Sequence, residues 1–191
     1  LLQRLESKAQ GESGPQFSRS GAKATIDVDG VQRPTTNSEG RPIHPTEDGV
    51  RNFWRWFGDS KVVDAGGKPL VVYHGTRADF EEFRTEGGYS GVLGEGSYFT
   101  SRPNEASNYA GRQEGAQVVP VYLSIRRPYM ASVPMTPDGA ARIRASGQYD
   151  GIIAQSGDSV TAVPFSPEQI KSAIGNQGTF DPNNPGIDRS G

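Results

Sequence analysis

The run Leu70-Val71-Val72-Tyr73 is apolar and rich in β-branching, and it gives way at once to His74-Gly75-Thr76-Arg77. That pattern reads as a buried strand ending in a polar turn, which commits this part of the chain to a sheet. A second segment has the same character. Gly94-Glu95-Gly96-Ser97-Tyr98-Phe99-Thr100 brings a glycine loop into a short strand that ends on aromatics. Ser101 and Pro103 then open a helix carrying Ala106 and Tyr109.

Around these two segments the chain reads as short strands with helices between them. Thr46 is placed to cap a helix, with Glu47 and Asp48 at its positive end. Val50, Phe53, Trp54 and Phe57 recur at helical spacing, and Gly58 stops the run. Three aromatics on one stripe are read as core. Lys61 to Tyr73 has the pattern of a hairpin turned at Asp64-Ala65-Gly66-Gly67. Gln117 to Ile125 alternates like a strand, with Pro120 arguing for an edge or a bulge. Pro137 to Ala145 is a further helix. Tyr149 to Ala154 and Val160 to Phe165 form a second hairpin, and Ser166-Pro167-Glu168 starts a short helix running through Ile170 and Ala173. Without a regular strand–helix–strand beat, a doubly wound parallel sheet is disfavoured. The class expected is α+β with mainly antiparallel pairing.

With 25 glycines, 14 prolines and 33% apolar residues among 191, a loop-rich core flanked by loosely packed segments is expected. Residues 1–42 read as a flexible linker, 43–176 as the domain, and 177–191 as an extended tail. Because the chain opens on Leu1, it is expected to be a piece of something longer. The net charge of −2 advertises no basic surface for nucleic acid or membrane. Cysteine is absent, which excludes disulfides, thiol nucleophiles and thiolate metal sites. His44 and His74 lack the spacing of a zinc site, so no metal is expected.

One imidazole, one glycine and two tyrosines in this arrangement suit a cleft that grips an aromatic amide and a ribose. Together, His74-Gly75-Thr76-Arg77 and Gly94-x-Gly-x-Tyr98-Phe99, with Tyr109 eleven residues beyond Tyr98, resemble the NAD-binding core of ADP-ribosyltransferases. The branch is the diphtheria-toxin and poly(ADP-ribose) polymerase type. Asn52-Phe53-Trp54-Arg55-Trp56-Phe57 and Pro167-Glu168-Gln169-Ile170-Lys171-Ser172-Ala173 look like the domains of this kind found in bacterial and phage polyvalent proteins.

The resemblance implies two mainly antiparallel sheets around an NAD cleft, with short flanking helices. It implies that His74 and Thr76 serve the adenosine-side ribose, that the Gly75 peptide clamps the nicotinamide carboxamide, and that Tyr98 and Tyr109 stack on its ring. A serine usual at the carboxamide is replaced by Ala106. The glutamate of relatives, four residues before the aromatic that is Phe165 here, is replaced by Thr161. Asp158, in the adjacent turn, is the candidate substitute. A lost preorganised contact of this kind costs on the order of 3 kcal/mol. The function implied is transfer of a single ADP-ribose from NAD, as co-substrate, to a protein or other macromolecular acceptor; the alternative is an NAD- or ADP-ribose-binding module with little turnover within a larger phage or bacterial interaction protein. The expected setting is cytoplasmic, in the bacterial cell or in a host cell if the protein acts as a delivered effector or toxin, with no membrane partner.

Overall fold

Thr46 caps the first helix as its position suggests, accepting a hydrogen bond from the Gly49 N–H at 3.1 Å. The computed structural model describes residues 23–77, 82–86, 90–111, 115–132 and 135–187. Helix α1, Glu47–Phe57, ends at Gly58 with φ +56°, whose N–H donates to the Trp54 carbonyl at 2.8 Å. Its buried stripe of Val50, Phe53, Trp54, Trp56 and Phe57 lies against Tyr122 and Phe180. Phe53 is at the centre, with ring centroids 4.9 Å from Tyr122 and 5.3 Å from Phe180. Truncating such a ring costs roughly 3–5 kcal/mol.

The segment expected to be a linker is partly folded. Residues 1–22 lie outside the described residues, but β1, Thr25–Val28, and β2, Val31–Pro34, form an antiparallel hairpin. Asp29 (φ 52°) and Gly30 (φ 87°) make its two-residue turn. Ile26 and Val28 are buried in the core of α1, and the Trp54 indole donates to the Pro34 carbonyl at 2.8 Å. The folded unit therefore begins well before residue 43. The C-terminal stretch, described as far as residue 187, is packed. Phe180 and Ile187 are buried, and the buried Lys171 ammonium donates to the carbonyls of Asn184 (2.7 Å) and Gly186 (2.8 Å).

The remaining elements are β3, Val72–Thr76; β4, Ser90–Gly91; β5, Gly94–Glu95; β6, Phe99–Thr100; α2, Pro103–Ala110; β7, Gln117–Leu123; β8, Pro128–Ala131; α3, Pro137–Ala145; β9, Gly151–Ser156; β10, Ser159–Pro164; and β11, Ile170–Ser172. β4 and β5 form a separate small hairpin. Seven strands make one sheet in the order β11-β7-β3-β6-β10-β9-β8, antiparallel except for β8 beside β9. The α+β class holds.

Besides the β1–β2 and β4–β5 hairpins, the described residues give one large sheet that is drawn in at its middle. The short β6 shares one residue pair with β3, Tyr73↔Thr100, and two with β10, Thr161↔Thr100 and Ala162↔Phe99. Past that neck β3 continues paired with β7, and a groove lies beside it, lined by Gly75, Tyr98, Tyr109 and Thr161.

Two further expectations are corrected. Pro120 sits in an interior strand rather than at an edge. Its carbonyl accepts from Ala173 N–H at 3.0 Å, just past the last β7–β11 pair, Val121↔Ser172. The missing proline N–H therefore faces the end of a ladder, where its loss is tolerated. The helix expected after Ser166 is one 3₁₀ turn, Pro167–Gln169, and then β11. Ile170 to Ser172 instead satisfy the outer edge of β7, so sheet pairing overrides local helical preference.

Candidate active site

Gly75 explains why α2 lies where it does. A Cβ there would collide with the Ala106 carbonyl oxygen and lie 2.7 Å from the Ala110 nitrogen, so only glycine lets the helix backbone rest on β3. Ala106 and Ala110 are buried in that contact, and Tyr109 is thrown outwards with 60% of its surface exposed. Tyr98 approaches from the other side. Its hydroxyl donates to the Gly94 carbonyl (2.6 Å) and accepts from the Leu93 N–H (2.9 Å), fastening the β4–β5 hairpin beside it.

The two tyrosines and Thr161 line a cavity of about 160 Å³ with Leu93, Ala154 and Ser156. It continues into a narrower notch bounded by Gly75, Ala106, Glu105 and Tyr73, with Tyr98, Tyr109 and Thr161 common to both. Burial, with help from Glu39, pushes the Tyr73 phenol up to about 12, and its hydroxyl donates to the Glu39 carboxylate, so it stays neutral. Hydrogen bonds in an antiparallel pair alternate. Because Pro120 turns its carbonyl to β11, Val119 and Val121 face β3, and β3 answers with Val72 and His74. The N–H and C=O of Gly75 therefore point the other way, beyond the point where the β3–β6 pairing has ended. A donor and an acceptor on adjacent positions of one strand edge suit a planar carboxamide.

Gly75, Tyr98, Ala106, Tyr109 and Thr161 thus meet around one groove, and three other candidates lie outside its lining. His74 alternates to the opposite face of β3, where its ring packs edge-on to Phe83 (5.0 Å) and lies 5.2 Å from Phe99. Its Nδ1 lies 2.8 Å from the Tyr98 carbonyl. A carbonyl only accepts, so Nδ1 carries the proton and the neutral ring's lone pair is on Nε2. Burial holds this imidazole below its ordinary value, against the opposing pull of the Tyr98 carbonyl. Thr76 pairs with Gln117 at the end of β3. Asp158 is exposed in the two-residue β9–β10 turn and lines neither cavity.

Glu105 is the charged lining residue, among several lining residues, that sequence reasoning passed over. It stands four residues before Tyr109 on α2, and that spacing puts both on one helix face. This spacing was the available signal.

Residues 64–144 match the family model for the ADP-ribosyltransferase in polyvalent proteins. The matched segment covers less than half of the chain, from the turn before β3 to the end of α3. It contains His74, Gly75, Tyr98, Glu105 and Tyr109, while Thr161 and Ala154 on the far side of the groove lie beyond it. The match supports ADP-ribosyltransferase-type activity in general, for which NAD is the co-substrate. No curated protein matches the chain. Among the described residues there is no group of three or more His, Cys, Asp or Glu that could hold a metal ion, and no helix long and apolar enough to cross a membrane.

Proposed function

We propose that this domain transfers a single ADP-ribose from NAD to a protein acceptor and releases nicotinamide. The observation that carries the reading is the convergence of the free Gly75 strand edge, the Tyr98 and Tyr109 rings and Thr161 on one groove. Aromatic faces suit a flat pyridinium, and the strand edge suits its carboxamide. In the reaction the bond between the ribose C1 and the pyridinium nitrogen breaks, and its electron pair leaves as part of neutral nicotinamide. A lone pair from the acceptor forms the new bond to C1, and the acceptor's proton passes to solvent. Positive charge on the ribose is greatest in the transition state, so electrostatic preorganisation is the main contribution the protein can make.

His74 supports the same site from behind by fixing the Tyr98 carbonyl. Incubation of the chain with labelled NAD and a cell lysate tests the proposal, with free nicotinamide measured alongside. Label incorporated into protein with release of nicotinamide is the expected result; neither signal would overturn it.

A second reading is a module that binds NAD or ADP-ribose with little turnover, and the neutral Thr161 side chain favours it. NAD would then raise the unfolding temperature, since a ligand at about 100 times its Kd stabilises by roughly 2.7 kcal/mol. No label would be transferred.

A further inference from the structure

Ribosyl transfer builds positive charge at C1, and Thr161 brings none of the opposing sign. Among the described residues that line the groove and its notch, the carboxylate is that of Glu105. Its placement is specific. The Oε2 atom accepts from the Thr100 hydroxyl at 2.6 Å and from the Ser159 hydroxyl at 3.2 Å. Thr100 is the cross-strand partner of Thr161, and Ser159 precedes Thr161 by two residues on the same face of β10. Two strand neighbours of Thr161 therefore hold a helix-borne carboxylate over the position that Thr161 leaves neutral. The guanidinium of Arg102, 3.5 Å from Oε1, is half-exposed and so adds only a screened attraction.

We propose that Glu105 is the catalytic carboxylate of this site, facing the nicotinamide ribose from α2 and doing there what a glutamate at position 161 would do. The inference rests on the ADP-ribosyl-transfer reading above. As the C1–nitrogen bond breaks, the carboxylate opposes the charge on the sugar. As the acceptor's lone pair closes on C1, the carboxylate accepts the acceptor's proton and passes it to solvent, so it is unchanged overall. A purely structural tether would need only an acceptor for the Thr100 and Ser159 hydroxyls. The amide oxygen of glutamine supplies that acceptor without the charge, which makes the two roles separable.

The test uses the full chain, with nicotinamide release giving the rate and calorimetry giving NAD affinity. Glu105→Gln is expected to lower kcat roughly a hundredfold while NAD affinity stays within about threefold, a split that a tether would not produce. Adding Thr161→Glu to that variant is expected to restore at least about tenfold of the lost rate. A fall of less than about tenfold in Glu105→Gln overturns the inference. If Glu105→Gln does not fold, Glu105→Asp keeps the charge and withdraws it by one methylene. A fall in its kcat of about tenfold or more at unchanged KM then supports the inference, and a smaller fall overturns it. NAD binding by the unaltered chain with no nicotinamide release would overturn the role of Glu105 while leaving the binding module. Failure to bind NAD at all would overturn the transfer reading itself.

Discussion

The hydroxyl of Tyr98 donates to the carbonyl of Gly94 at 2.6 Å, so the ring lining one side of the groove also fastens the hairpin that lines the next. Tyr98→Phe keeps the ring and removes the fastening. It also leaves the Leu93 N–H without this acceptor. The expected loss of stability is about 1–2 kcal/mol, with faster amide exchange confined to residues 90–95. Hydrogen exchange followed residue by residue checks this, and exchange unchanged at Leu93 would show that the hairpin is held by other means.

Gly75→Ala should act through the helix and not through the strand. The new methyl meets backbone atoms of Ala106 and Ala110, which cannot rotate away as a side chain would. An overpacking cost of about 3 kcal/mol is expected, together with displacement of Tyr109 and loss of NAD binding. Thermal unfolding and calorimetry measure the two effects, and a variant of wild-type stability would contradict the close approach of α2 to β3.

Burial of His74 makes stability depend on pH in a defined direction. Its folded value lies below the ordinary 6.5, so as pH falls through 6.5 the unfolded chain takes up a proton that the native state resists. The stability contributed by the neutral buried ring is thus complete above 6.5, and it is lost as pH drops towards the folded value. Between about pH 7.5 and about pH 5.5 the wild type should lose roughly 1 kcal/mol more than His74→Gln. Urea titrations at both pH values, with His44 common to both proteins, give the comparison. Equal losses would mean that the imidazole titrates as though exposed.

Lys171→Met should destabilise even though methionine is apolar. The ammonium is buried and satisfies the Asn184 and Gly186 carbonyls, which stay behind when it goes. Losing two charge-assisted hydrogen bonds that tie the C-terminal stretch to the sheet outweighs the gain from removing a buried charge, and an expected loss of about 2–3 kcal/mol follows. The urea midpoint should fall with an unchanged slope, and proteolysis of residues 176–187 should quicken. A midpoint equal to that of the wild type would show that the C-terminal stretch does not depend on this anchor.

Elements whose signals are local were legible in the sequence. α1 has its cap, its apolar stripe and its stop glycine within residues 46–58, and the β9–β10 hairpin has its turn at Gly157-Asp158. The β1–β2 hairpin also carried a signal, Asp29-Gly30 between two short runs, but polar composition on either side masked it. β11 could not be read locally, because Ile170 to Ser172 are extended only by virtue of pairing with β7. In the groove, the glycine and both tyrosines stand out in the sequence by type and order. The opposite orientation of His74 depends on strand parity relative to Pro120, and the role of Glu105 on hydroxyls at residues 100 and 159. Neither relationship exists until the sheet has formed.

Two packing clusters underlie the groove on either side of the narrow middle of the sheet. β3 contributes Val72 to one packing cluster, which also takes Ile153 and Ala162 from beyond the neck, whereas Leu93, Ala154 and Val163 belong to another, and β6 bridges the halves through three residue pairs. Thr100 takes part in two of these pairs and holds Glu105 as well. Substitutions deep in either cluster, remote from any ligand, would therefore change the width of the gap and the aim of its carboxylate together, and enzymatic output would report on packing many residues away.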